Sequence, residues 1–264
     1  TSSGTSALTV ALLALDLREG GEVITTPLTF AATAQAIEAA GLVPRFAAVD
    51  PVSLTLDPRA VADAITPYTV AILPVHLFGF AVDPEVDAIA ETHRLPVVYD
   101  AAHAFGFAPV AGRGTASAYS LHATKVLHTG EGGVIATTDA ALAELPELSA
   151  ALGLAVLPGL TAELHARAEL RAAYSEIVDR STRVRAHAPG HDRALVMEVV
   201  RCAADDQDAL LRELAEVGVI GRAFPALTSP GSRWEGHPIA GEAHSRSFEA
   251  LSRDFEEPSR EEAL

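Results

Sequence analysis

Cysteine is nearly absent from this chain. The single Cys202 excludes an intramolecular disulfide and any metal site built on a cluster of cysteines. Basic charge is also scarce: 19 Lys and Arg stand against 35 Asp and Glu, a net charge of −16. That sign argues against nucleic acid or an anionic membrane as partner, since both require a basic footprint. No apolar run reaches the roughly 18–20 residues of a membrane span. No basic segment leading into an apolar stretch opens the chain as a secretion signal would. No G-x-G-x-x-G follows a strand, and no Lys follows the early glycine as in a P-loop, so both common nucleotide fingerprints are missing. A cytoplasmic globular protein is the expectation. With 264 residues, 49% of them hydrophobic and 20% charged, the chain can bury a large domain and a small one.

Lysine is as rare as cysteine. Of the 19 basic residues all but one are Arg, and the exception is Lys125, in Ser120-Leu121-His122-Ala123-Thr124-Lys125. A coding bias toward Arg accounts for a lysine-poor surface. Under such a bias a surviving Lys belongs where Arg cannot serve. Guanidinium stays protonated, whereas an ammonium can lose its proton and attack a carbonyl as a nucleophilic amine.

Short β-rich runs alternate with helical stretches over the first two-thirds. Strands are expected at residues 22–25, 45–49, 70–76, 96–100, 118–121 and 134–137, apolar on both faces as in a sheet covered by helices. Helices are expected at residues 6–15, 31–40, 58–65 and 84–93. Asp57-Pro58 and Asp83-Pro84 each read as an N-cap followed by Pro at the first helical position. This order predicts an α/β protein with a mainly parallel, doubly wound sheet. Beyond about residue 145 the texture changes: helices are expected at 147–157 and 162–178, a strand at 195–201 and a helix at 205–217. The chain is therefore divided into a large domain, 1–160, and a connecting helix with a smaller α+β domain, 161–264. Residues 180–193 read as a loop. Its His187 and His191 are four apart, but Pro189-Gly190 between them forbids a helical ligand pair, and no metal is expected.

Three features fall where an open α/β sheet places its ligands. Ser2-Ser3-Gly4-Thr5-Ser6 precedes a helix, and free N–H groups with hydroxyls at a helix start suit a phosphate, though an ordinary Ser cap has the same sequence. Asp100, with His103 three residues on, follows a buried strand; it is either a turn cap or a carboxylate held against a cationic ring nitrogen. Ser120 through Lys125 leads to Gly130-Glu131-Gly132-Gly133, where the backbone turns tightly or approaches another segment closely. A Lys, a carboxylate and phosphate donors are the partners that pyridoxal phosphate requires.

Residues 1–178 resemble the DegT/StrS family of pyridoxal-phosphate-dependent sugar aminotransferases. The resemblance rests on Ser3-Gly4-Thr5-Ser6-Ala7-Leu8, Gly21-Glu22-Val23-Ile24 and Pro27-Leu28-Thr29-Phe30-Ala31-Ala32-Thr33, and on Pro74-Val75-His76-Leu77-Phe78-Gly79. It continues through Asp100-Ala101-Ala102-His103-Ala104, Ser120 to Lys125, Gly130 to Gly133, and Glu147 to Leu154. It implies the aspartate-aminotransferase (type I) fold, with Lys125 as the Schiff-base lysine and proton shuttle. Asp100 would pair with the pyridinium nitrogen and Phe30 would stack on the ring. Gly4, Thr5 and Ser120 would hold the phosphate, and His103, where the family often has Gln, would lie near the 3-hydroxyl. The His122-Ala123-Thr124-Lys125 form resembles members that aminate C4 of a nucleotide-linked 4-keto-6-deoxysugar, as in the deoxyaminosugars of antibiotic biosynthesis. Members acting at C3, and sensory members without catalysis, are the alternatives. The implied partners are a nucleotide sugar of the dTDP type, an amino-acid donor such as glutamate, and a second copy of the chain. A mean hydropathy of +0.23 also favours a homodimer, which hides apolar surface. His122, Thr129 and Glu131 are expected nearest the substrate or the partner chain. The family is longer before Ser3, between Leu142 and Glu147, and around residues 183–195.

Overall fold

The computed structural model describes residues 1–137, 160–187, 193, 197, 199–203 and 206–216. The helix expected at 147–157 and the family segment near 142–147 lie outside these residues.

Helix α1 (Gly4–Leu13) starts where Ser3 caps it: the Ser3 hydroxyl accepts the Ser6 N–H, and the Ser6 hydroxyl accepts the Ser3 N–H. The expectation placed this start at Ser6. The reciprocal cap begins the helix two residues earlier and takes Gly4 and Thr5 into its first turn. Strands β1 (Glu22–Thr25), β2 (Val43–Phe46) and β3 (Thr69–Ile72) alternate with helices α2 (Ala31–Ala39) and α3 (Pro58–Ala64). Then come α4 (Glu85–His93), β4 (Val98–Asp100), β5 (Ala116–Ser120) and β6 (Gly133–Thr137).

Among the described residues the strands lie in the orders β2-β1-β3 and β4-β5-β6. Parallel bridges Ile72↔Val97 and Val75↔Asp100 join the two sets edge to edge. Every pairing in this array is parallel except β5 with β6, so the expected mainly parallel sheet is present. Successive side chains face opposite sides. Val23, Ala71 and Val98 pack with Leu8, Leu12 and Ile37 of α1 and α2, whereas Ile24, Ile72 and Tyr99 pack with Val61 and Val86 of α3 and α4. Two apolar faces, each covered by a helix pair, make the doubly wound three-layer arrangement.

Three local expectations shift. Strand β2 begins before Pro44 rather than after it; β2 lies at the edge of its three strands, where a missing N–H is tolerated. Asp57 caps α3 through the Arg59 N–H at 2.9 Å as expected, and Asp83 accepts the Glu85 N–H at 2.9 Å, with Pro84 itself in the cap position of α4. The stretch 180–193, expected as a loop, contains strand β7 (Val184–Ala186), which pairs antiparallel with β8 (Val200–Cys202). Extended pairing partners fourteen or more residues away override a polar local sequence. A 20-residue helix, α5 (Leu160–Asp179), precedes β7, and α6 (Gln207–Glu216) follows β8. These elements meet the sheet domain at Phe80: the His187 ring lies edge-on to it at 5.8 Å, and the Arg193 guanidinium stands 5.2 Å above it. The buried His187 also places its Nε2 2.8 Å from the Val52 carbonyl.

Candidate functional site

The site forms at the C-terminal ends of β4 and β5, where an open parallel sheet exposes its loops. Asp100 ends β4 and is 6% exposed. Its Oδ2 accepts the Thr33 hydroxyl at 2.8 Å and its Oδ1 accepts the Ala102 N–H at 3.1 Å. Burial pushes the Asp100 carboxyl above its ordinary range, while Thr33, Ala102 and the charge of Lys125 pull it back. Lys125 lies in the loop after β5, with its N–H bonded to the His122 carbonyl at 2.9 Å. Burial lowers the Lys125 ammonium and the negative charge of Asp100 raises it. The Asp100 carboxylate and the Lys125 ammonium thus lie within each other's field.

His103 joins them. Its Nδ1 accepts the Phe78 N–H at 3.1 Å, which leaves the proton of the neutral ring on Nε2. Burial, and then the Lys125 charge, lower its pKa to about 3, so the ring stays neutral at pH 7. Phe78 lies parallel to it at 6.1 Å and holds a left-handed backbone, φ 52°. For a bulky residue that conformation is strained, and here it turns the amide toward His103.

The phosphate-type residues meet at one corner. A Cβ on Gly4 would come within 2.9 Å of the Ser120 Cβ, so only glycine lets the start of α1 approach the end of β5 this closely. Ser3 satisfies the N–H groups of Ser6 and Ala7. Those of Gly4 and Thr5, the first two of the helix, lie ahead of any intrahelical acceptor. Gly133 has the same role on the neighbouring strand: its bare Cα faces the Ser3 carbonyl, and Thr1 and Gly133 exchange two backbone bonds of 2.8 and 3.0 Å. Close approach, not merely a turn, accounts for this glycine.

Phe30 occupies the cap position of α2 and is 69% exposed, next to buried Thr29. His122, Thr129 and Glu131 lie together on the outer loop: His122 Nε2 is 3.6 Å from Glu131 Oε1, and the Thr129 hydroxyl donates to the Glu131 carbonyl at 2.7 Å. Thr29, Thr33 and Phe78 contact the site residues without having been singled out from the sequence. The four-residue spacing of Thr29 and Thr33 at a helix start was the available signal. A separate cleft of about 470 Å³ is lined by Asp50, Asp57, Arg59 and Asp83, but these three carboxylates accept backbone N–H groups as turn and helix caps.

A buried carboxylate, a lysine of lowered proton affinity, a neutral imidazole donor and a glycine-tight helix start fit pyridoxal phosphate. Fold and residues together define a pyridoxal-phosphate protein of the type I α/β class. The chain belongs to the DegT/DnrJ/EryC1/StrS aminotransferase family, whose model matches residues 1–146. It is 46% identical over 139 residues to the dTDP-4-amino-4,6-dideoxy-D-glucose transaminase of Shigella dysenteriae, covering 51% of this chain and 37% of that protein. Across the curated relatives considered, the matched part spans between 36 and 40% of their length. The crystal structure of DesI in the presence of its TDP-sugar product superposes with a TM-score of 0.80 at 27% identity, over 96% of this chain and 80% of that one. NtdA from Bacillus subtilis, solved with bound cofactor PMP, has a TM-score of 0.77 at 25% identity, over 93% and 66% of the two chains. The cofactor expected from the sequence is the family's cofactor.

Proposed function

We propose that this chain carries the cofactor site of an aminotransferase that moves an amino group from glutamate to a nucleotide-linked, dTDP-type 4-keto-6-deoxysugar. One observation carries the reading: the sole lysine of the chain is partly buried and lies within the field of a buried aspartate. The bound cofactor supplies an electron sink. Lys125 would bind it and move the proton at the reacting carbon, for which a lowered amine pKa is the useful state. Asp100 would keep the ring nitrogen protonated. His103 would donate from Nε2 toward the 3-hydroxyl, Phe30 would stack on the ring, and Gly4, Thr5 and Ser120 would hold the phosphate.

The remaining assignments belong to the same reading. Residues 1–160 form the cofactor domain and 161–264 the connecting helix and small domain, in a cytoplasmic enzyme. Two copies form an isologous dimer that buries more than about 2,000 Å², as obligate dimers do. His122, Thr129 and Glu131 face the substrate or the second copy.

The test adds pyridoxal phosphate and follows its visible absorption, then adds glutamate and the ketosugar nucleotide in turn. Loss of the band with glutamate and its return with a 4-keto-6-deoxysugar nucleotide support the reading. Return only with a 3-ketosugar moves the reaction to C3. A band that no amino donor changes makes the protein a cofactor-binding regulator.

A further inference from the structure

Asp100 performs its proposed task only as an anion, yet its burial favours the neutral acid. Three supports oppose that burial. One is the charge of Lys125, the amine that the reaction itself engages. The other two are permanent: the Ala102 N–H, 3.1 Å from Asp100 Oδ1, and a pair of hydroxyls on Oδ2. The Thr33 hydroxyl lies 2.8 Å from Asp100 Oδ2, and the Thr29 hydroxyl lies 2.8 Å from that of Thr33. Thr29 is 3% exposed, Thr33 is 0% and Asp100 is 6%, so water does not compete for these bonds.

An ionised carboxylate only accepts, so the single Thr33 proton is directed at Asp100. The Thr33 oxygen is then an acceptor, and the contact with Thr29 runs from the Thr29 hydroxyl to it. The chain of donors has one direction, and it ends on the carboxylate. A hydrogen bond polarised by a second donor and received by an anion in a dry setting is among the stronger kinds. Thr29 and Thr33 also bracket Phe30 at the start of α2, and the Thr33 N–H donates to the Phe30 carbonyl at 3.1 Å. One helix start therefore places both the exposed ring and the donors to Asp100.

We propose that Thr33, backed by Thr29, is a positioning residue that keeps the Asp100 carboxylate ionised and aimed at the cofactor's ring nitrogen independently of Lys125. This rests on the role given above to Asp100. Of the titratable groups around the carboxylate, Lys125 is charged. His103 and His76, the latter donating its backbone N–H to the Asp100 carbonyl, each have a pKa of about 3 and stay neutral near pH 7.

The test uses Thr33→Val, which keeps the shape and removes the donor, with Thr33→Ser as its conservative partner. In the cofactor-free protein, the Asp100 carboxyl is followed by infrared titration as a difference against Asp100→Asn. Thr33→Val is expected to raise the proton affinity of Asp100 about ten-fold, the worth of one hydrogen bond to a charged group. Thr33→Ser should titrate as the parent does. With pyridoxal phosphate bound, the acidic limb of kcat moves to higher pH in Thr33→Val but not in Thr33→Ser. Thr29→Val leaves the Thr33 bond in place and should give a smaller shift in the same direction, which keeps the test decisive if Thr33→Val does not fold. A folded Thr33→Val or Thr29→Val with an unmoved Asp100 titration overturns the proposal. If instead Asp100→Asn leaves the bound cofactor's spectrum and turnover intact, the role of Asp100 fails while the infrared result still judges the relay.

Discussion

The two sides of the site are built on different principles. Asp100 ends a buried strand, and both its oxygens are held by fixed donors, Thr33 and Ala102. Lys125 hangs from the loop between β5 and β6, beside His122 and Glu131, whose side chains are 47% and 72% exposed. In the proposed reading, the charge that must persist is anchored in the sheet, where neighbours cannot reorganise, and the amine that must bind, release and carry a proton is placed on a loop, where reach matters more than rigidity. The contrast extends to electrostatics: burial acts on both groups, raising one and lowering the other, and each partly offsets the other's desolvation.

Removing the loop-borne amine gives the largest effect. Lys125→Arg keeps the charge and the fold but is expected to reduce turnover below about a thousandth of the parent, since guanidinium cannot attack the cofactor's aldehyde. With no second lysine in the chain, mass spectrometry after borohydride should find no cofactor attached. An adduct on that variant would move the nucleophile elsewhere.

The anchored side comes next. Asp100→Asn is expected to lower kcat by about 10²–10⁴-fold while the cofactor remains attached. The same variant should be the more stable protein. Burial holds the carboxyl above the unfolded value of about 3.9, so the folded chain binds this proton more tightly, and its contribution to stability falls as pH rises above that value. Cofactor-free Asp100→Asn should therefore melt above the parent at pH 7, with the gap closing below about pH 3.9. Equal melting temperatures at pH 7 would show that Asp100 carries no burial strain.

The corner between the two sides gives a smaller effect. Gly4→Ala forces its new Cβ against Ser120 at 2.9 Å, and overpacking of this kind costs about 1–3 kcal/mol. Urea unfolding should register that loss, and pyridoxal phosphate should bind more weakly. The smallest effect belongs to the exposed loop. Glu131→Gln breaks a 3.6 Å contact between exposed groups and should change stability by no more than about 0.5 kcal/mol. A larger change would mean that the loop is as anchored as β4.

Much of this arrangement was written locally. The alternation of apolar strands and helices, the Asp57-Pro58 cap and the single lysine all follow from residue type and spacing, because each depends on neighbours a few positions away. The parallel sheet was legible for that reason, whereas the roles proposed for Lys125, Asp100 and their neighbours come from the resemblance of their motifs to the family. The tertiary structure alone decided what meets across distance. Thr33 and Asp100 are 67 positions apart, and no periodicity couples them. Gly4 reads as part of an ordinary cap until Ser120 is packed against it, and Gly133 reads as a turn until the Ser3 carbonyl lies over it. The strand at Val184–Ala186 likewise exists only because Val200–Cys202 pairs with it. Local sequence sets what each segment prefers; the burial of a charge, and the donors that make it tolerable, arise only when distant segments share one dry volume.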